Sequence, residues 1–247
     1  MDHSLSPANA LPVMAGGSLA ATAFVLAGGE SSRMGSDKAL LALPSGETML
    51  RRALVTARQV AGTVMLVAPE ERYPELRGEL RIIADVYPGR GPLAGIHAAL
   101  RASETEWNLV LGVDTPRVTP ELLRFLLASA AGTGAPAGVL ALVPRVEGRL
   151  HTVCAVYRKA FAEAAERALI DDRQPAKAMS PEFGSRRQDG PKPRRGTRIE
   201  RLLAEVPSRI LEENELRQAG FGVELFANVN TPQDFAALDS GKRRSSG

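Results

Sequence analysis

A single three-layer α/β/α domain built on a mostly parallel sheet is the fold that this 247-residue sequence predicts. Two observations lead there. Apolar runs of strand length alternate with stretches of helical spacing, and parallel neighbours need crossover connections of that kind. The first apolar run stops at a pair of glycines, which puts a turn at the carboxyl end of a strand, where ligands collect on such sheets. With 44% apolar residues, the chain can bury a substantial core.

Met1 to Ala20 is rich in Ala, Gly and Ser, lacks the basic start of a secretory signal, and reads as a flexible extension. The domain then occupies residues 21–240. Thr22 to Leu26 is a buried strand ended by Ala27-Gly28-Gly29. Thr63 to Val67, Leu80 to Ile83 and Asn108 to Val113 are further strands, separated by helical spacing over Glu47 to Val60 and Leu93 to Ala102. A helix over Glu121 to Ala131 leads to two more strand-like runs, Ala137 to Val143 and Arg149 to Tyr157, and then to another helix. Asp171 to Arg198 is rich in Pro, Gly, Ser, Arg and Lys and reads as a mobile loop, because it has too few large apolar residues to order itself. Order returns at Ile199 to Ala204, a strand is expected at Gly222 to Ala227, and Thr231-Pro232 marks the start of a last helix. Residues 241–247 read as a disordered tail.

Composition narrows the function. The net charge is only +3 and aromatic residues make up 4%, which leaves little for nucleic-acid binding or base stacking. Cys154 is the single cysteine, so an internal disulfide is excluded and a reducing, cytoplasmic home fits. No run approaches the roughly 20 apolar residues that span a bilayer. His3, His97 and His151 give no metal-ligand spacing. His151 and Cys154 stand three apart in a strand-like run, on opposite faces, which argues against a nucleophilic pair.

The chemistry concentrates in Leu26-Ala27-Gly28-Gly29-Glu30-Ser31-Ser32-Arg33-Met34-Gly35-Ser36-Asp37-Lys38. Glycines let backbone N–H groups approach an anion, so the loop can wrap a polyphosphate while Arg33 and Lys38 neutralise it. The spacing matches neither the P-loop nor the dinucleotide fingerprint. Asp114, in Asp114-Thr115-Pro116, follows a strand and can reach the ligand crevice as a magnesium ligand, or it can cap a turn. Asp85 invites the same two readings, nucleotide contact or turn cap. Gly89 to Gly95 can cover a nucleotide or merely punctuate the chain. Asn228 and Asn230, two apart in Asn228-Val229-Asn230-Thr231-Pro232, present two amides on one side.

The run Leu26 to Lys38 resembles the signature of molybdenum cofactor guanylyltransferases, within the wider nucleotidyltransferases that include sugar-nucleotide pyrophosphorylases. Tyr87 to Gly95, Asp114-Thr115-Pro116 and Asn228 to Pro232 look like that family's second loop, metal-binding turn and C-terminal signature, in matching order. The resemblance implies a Rossmann-like nucleotidyltransferase sheet and transfer of GMP from GTP to Mo-molybdopterin, with Mg2+ as cofactor and release of pyrophosphate. It implies nucleotide contacts at Leu26, Ala27, Gly28, Gly29, Lys38, Asp85 and Asp114. Lys38, Asp114 and Arg33 would be the catalytic set, Asp114 the metal ligand, and Asn228 and Asn230 would lie near the pterin. Molybdoenzyme maturation factors are the partners it suggests, with no nucleic acid and no membrane.

Two features depart from the family pattern. Val67-Ala68-Pro69 stands where the family tends to have an asparagine, and the loop 171–198 is longer. The alternatives are a molybdopterin cytidylyltransferase, another small-molecule nucleotidyltransferase, or a non-catalytic pterin or nucleotide carrier. Gly28-Gly29, where the cytidylyl relative resembles Ala-Gly, favours guanine.

Overall fold

The computed structural model describes residues 20–28, 37–132, 137–171, 197–229 and 234. In chain order the strands and α-helices are β1 (Ala21–Leu26), α1 (Met49–Arg58), β2 (Thr63–Val67), β3 (Arg81–Ile83), α2 (Pro92–Ala102), β4 (Trp107–Gly112), α3 (Pro120–Ala131), β5 (Ala141–Val146), β6 (Arg149–Leu150), β7 (Cys154–Arg158), α4 (Phe161–Asp171), α5 (Arg198–Glu205), β8 (Ser208–Glu212) and α6 (Glu213–Gln218). Single 3-10 turns lie at Lys38–Leu40, Pro74–Leu76 and Val223–Phe226. The strands join one sheet in the order β3-β2-β1-β4-β7-β5-β6, with β8 paired to β5.

Period-two alternation divides the sheet between two cores. Ala23 and Val25 of β1 and Leu109 and Leu111 of β4 pack toward α1 and α3, while Val110 of β4 and Ala155 and Tyr157 of β7 pack toward α2, α4 and α5. Phe24 sits with Ala98 and Ala99 of α2 on that second face. Side chains of the preceding residues start two of the helices. Thr48 accepts from Arg51 N at 3.1 Å, and Thr119 accepts from Leu122 N at 3.4 Å with Pro120 at the first helical position.

The first half of the sheet is parallel, as the alternation predicts. The second half is mixed: β7 runs antiparallel to both β4 and β5, and β8 returns parallel to β5. The expected run Arg149 to Tyr157 is broken at residues 151–153, where the chain turns and His151 N donates to the Pro144 carbonyl at 2.9 Å. The run expected at Ala137 to Val143 lies later, at β5. The strand expected at Gly222 to Ala227 is instead a 3-10 turn, because Val223, Leu225 and Phe226 pack onto the core without a strand partner. The strand β8 was not anticipated; its alternation is blurred by Arg209 and Glu212. The extension 1–19, the loop 172–196, the start of the last helix and the tail 241–247 lie outside the described residues. Asp171 and Arg198, at the edges of the expected loop, belong to α4 and α5. Among the described residues, no helix is long and apolar enough to cross a membrane.

Candidate active site

β1 and β4 are parallel neighbours with Leu26 opposite Gly112, so the residues that follow them emerge side by side at the carboxyl edge. Val113 N donates to the Leu26 carbonyl at 3.3 Å, which carries the pairing one step beyond the strands. Asp114 therefore stands beside Ala27 and Gly28. Lys38, just past the glycine-rich loop, brings its Nζ to 4.0 Å from Asp114 Oδ2, with side-chain exposures of 16% and 25%.

Gly112 makes this placement feasible. A Cβ there would stand 2.6 Å from Asp114 Oδ1 and 2.9 Å from Val153 Cγ2, so a side chain would collide with the carboxylate. At Gly28 an added Cβ would meet nothing nearer than the Val67 carbonyl at 3.8 Å, an ordinary contact. Among the described residues, packing does not require glycine there.

The electrostatics are those of a site short of water. Burial raises the Asp114 carboxyl above its usual range, opposed chiefly by the Lys38 charge and more weakly by Arg149. Burial also lowers the Lys38 ammonium, opposed by Asp114 and then Asp234. Both charged forms are incompletely solvated, so each gains from a ligand of opposite charge.

The C-terminal signature meets the same place. Val229 N donates to the Asp114 carbonyl at 2.8 Å. Next to it, Asn228 Oδ1 is buried and has no hydrogen-bond partner among the described residues. A buried amide oxygen is costly unless a donor or a cation meets it, so it has a partner outside the described residues or in a bound group. Asp114 offers hard carboxylate oxygens at this edge, and Asn228, one residue from the Val229 bond, carries another hard oxygen. Among the described residues no three His, Cys, Asp or Glu side chains gather, so a cation here would draw most ligands from water and phosphate oxygens, which suits Mg2+.

Asp85 is not part of this cluster. It follows β3, on the far side of β2 and β1, and its Oδ1 accepts from Tyr87 N at 2.7 Å, as a turn cap does. The second loop is fixed from two sides: Gly91, at φ 74°, takes a conformation that favours glycine before Pro92 opens α2, and Arg198 Nη1 donates to the Arg90 carbonyl at 2.8 Å. Gly29, Arg33 and Asn230 lie outside the described residues.

Cys154 is fully buried and its thiol is pushed up to about 12 by burial, so it is an inert core group. His151 sits in the turn between β6 and β7 with its ring 4.9 Å from Phe226. Burial, and then the Arg149 charge, press its imidazole down to about 4. Residue types and spacing did not single out Arg149, Arg72, Tyr73 or Asp234. Arg149 is exposed on β6 and its charge reaches both Asp114 and His151. Arg72 and Tyr73 follow β2 at the carboxyl edge, and that position in a parallel sheet was the available signal.

A family model described as "MobA-like NTP transferase domain" matches residues 23–188. A protein of Carboxydothermus hydrogenoformans named "Probable molybdenum cofactor guanylyltransferase" is 32% identical over 218 residues, 88% of this chain and 94% of that protein. A protein of the same name from Pelotomaculum thermopropionicum is 38% identical over 151 residues, 61% of this chain and 70% of that one. In fold, the chain matches the crystal structure of molybdopterin-guanine dinucleotide biosynthesis protein A from Archaeoglobus fulgidus. The TM-score is 0.68 at 24% identity, over 90% of this chain and 99% of that one.

Proposed function

The chain belongs to the MobA-like NTP transferase family, and from that premise we propose that it transfers GMP from GTP to the terminal phosphate of Mo-molybdopterin and releases pyrophosphate. The observation that supports this most is the meeting of Lys38 and Asp114 at 4.0 Å, where Val229 of the C-terminal signature also bonds the Asp114 carbonyl.

An oxygen of the acceptor phosphate attacks the α-phosphorus of GTP, a new P–O bond forms, and the bond to the bridging oxygen breaks as pyrophosphate departs. No protein nucleophile is needed, since the acceptor is already ionised at neutral pH. The obstacle is the approach of one anion to another, so positioning and charge neutralisation do most of the work.

Leu26, Ala27, Gly28 and Gly29 bring backbone groups to the nucleotide, and Arg33 and Lys38 neutralise its phosphates. Asp114 holds Mg2+, which when bound withdraws charge from the phosphate oxygens. Asp85 contacts the base or ribose. Asn228 and Asn230 bind the acceptor, and Arg149, whose charge reaches Asp114, attracts its phosphate. The enzyme works in the cytoplasm, the compartment that its single buried cysteine suits, and passes its product to molybdoenzyme maturation factors.

The direct test is pyrophosphate release from GTP with authentic Mo-molybdopterin. Release that requires both the acceptor and Mg2+ supports the reading. Release from CTP in preference to GTP overturns the choice of base, and binding without release overturns the transfer.

A further inference from the structure

The segment after β2 ties the two flanks of the glycine-rich loop together. Arg72 Nε donates to Asp37 Oδ2 at 2.9 Å, and the Tyr73 hydroxyl donates to the same oxygen at 2.9 Å. Both side chains also reach the Ala27 carbonyl, Arg72 Nη1 at 3.3 Å and the Tyr73 hydroxyl at 3.4 Å. Ala27 is anchored from its other side, where its N–H donates to the Val67 carbonyl at 2.9 Å. The second Asp37 oxygen accepts from Ala39 N at 3.0 Å and starts the 3-10 turn that contains Lys38.

Tyr73 is fully buried. Burial, and then its bond to Asp37, push its hydroxyl well above the usual tyrosine range, so it remains a donor. Ala27 ends the strand before the loop, and Asp37 precedes the lysine after it. One pair of side chains therefore sets the position of both.

The charges matter as much as the geometry. Asp37 places a carboxylate next to the lysine that faces the triphosphate, where an uncompensated negative charge would repel the ligand. Arg72 cancels that charge through its ion pair with Asp37 at 2.9 Å.

We propose that Arg72 and Tyr73 are positioning residues for the nucleoside triphosphate, which fix Ala27 and Asp37 and neutralise Asp37 beside Lys38. This rests on the reading that the glycine-rich loop takes the triphosphate. It goes further by assigning affinity for that substrate to two residues that act through Ala27 and Asp37.

The test uses the full chain and three variants: Tyr73→Phe, Arg72→Leu, and Arg72→Leu combined with Asp37→Asn. KM is measured separately for GTP and for the acceptor, and GTP affinity is measured by equilibrium titration. Arg72→Leu should raise the KM for GTP by about tenfold, and Tyr73→Phe by about threefold, with the acceptor KM within about twofold of wild type. Adding Asp37→Asn to Arg72→Leu should recover most of the lost affinity, because no stranded carboxylate remains.

A role confined to stability predicts lower melting temperatures with unchanged GTP constants, and that result overturns the proposal. So does an equal rise in both KM values, or no recovery with Asp37→Asn. If Arg72→Leu does not fold, Tyr73→Phe keeps its ring and decides the matter. Absence of turnover by wild type with every nucleotide would remove the transfer reading. Titration with GTP, CTP, ATP and UTP would still judge the clamp: variants that bind as tightly as wild type overturn it, and so does a wild type that binds none of the four.

Discussion

Lys38 and Asp114, 76 positions apart in the chain, meet with Nζ 4.0 Å from Oδ2 where the adjacent strands β1 and β4 end. The pair is partly desolvated, and burial disfavours the charged form of each partner. A pair built for stability would be expected to draw further hydrogen bonds around it. Beside it the backbone of Val229 bonds the Asp114 carbonyl, and the neighbouring Asn228 Oδ1 is buried with no hydrogen-bond partner among the described residues.

Lys38→Ala should reduce kcat/KM by about 10²-fold, with most of the loss in the KM for GTP, because it removes a charge that neutralises the phosphates. Steady-state kinetics with GTP varied at saturating acceptor measures this directly. An unchanged KM for GTP would mean that Lys38 does not face the nucleotide.

Gly112→Ala should be as damaging as a change to a charged group. Its Cβ would press on Asp114 Oδ1 at 2.6 Å and on Val153 Cγ2 at 2.9 Å, so the carboxylate must move. We expect at least about a tenfold loss of kcat and about 1–3 kcal/mol of stability, read from turnover and urea unfolding of the same preparation.

Asn228→Ala separates function from stability. It removes a buried oxygen with no partner among the described residues, so the ligand-free protein should keep its stability or gain up to about 1 kcal/mol, while turnover falls. Parallel losses of stability and activity would instead mark Asn228 as a structural residue.

The pH dependence of folding should carry the mark of His151. Its imidazole is pressed from an ordinary 6.5 down to about 4, by burial first and by Arg149 second. Between these values the unfolded chain takes up a proton that the folded protein refuses, so stability falls as pH drops from 6.5 toward 4 and is unaffected above that window. With allowance for partial exposure of the ring, the loss is about 1–2 kcal/mol. His97, also lowered by burial, acts in the same direction, whereas Asp114, raised by burial, acts oppositely. Comparing wild type with His151→Gln by urea unfolding at several pH values isolates the His151 share, and identical pH profiles would refute it.

Much of this site was legible in the sequence because its anchors are local. The apolar run to Leu26, the glycines after it, and Asp114 directly after an apolar run all announce strand ends, and parallel pairing then brings them together. Asn228 was found through its motif, and the bond from neighbouring Val229 N to the Asp114 carbonyl required the fold. The second half of the sheet was harder to read. The break at residues 151–153 interrupts what looks like one strand, and Val223 to Phe226 is too short for periodicity to tell a strand from a 3-10 turn. Arg72 and Tyr73 stayed hidden because their partners, Ala27 and Asp37, are more than thirty residues away and no local pattern signals the contact. Asp85 illustrates the converse, since its placement after a strand suits a turn cap as well as a ligand contact, and its bond from Tyr87 N is compatible with both, because one carboxylate oxygen caps the turn while the other can meet a ligand.

The most direct measurement is pyrophosphate release by wild type and Asp114→Asn, with Mg2+, Mo-molybdopterin and each of GTP, CTP, ATP and UTP in turn. The account predicts turnover selective for GTP that falls by about 10²–10³-fold in the variant. Near-normal turnover by Asp114→Asn, or wild-type turnover with no preference for GTP, would contradict it.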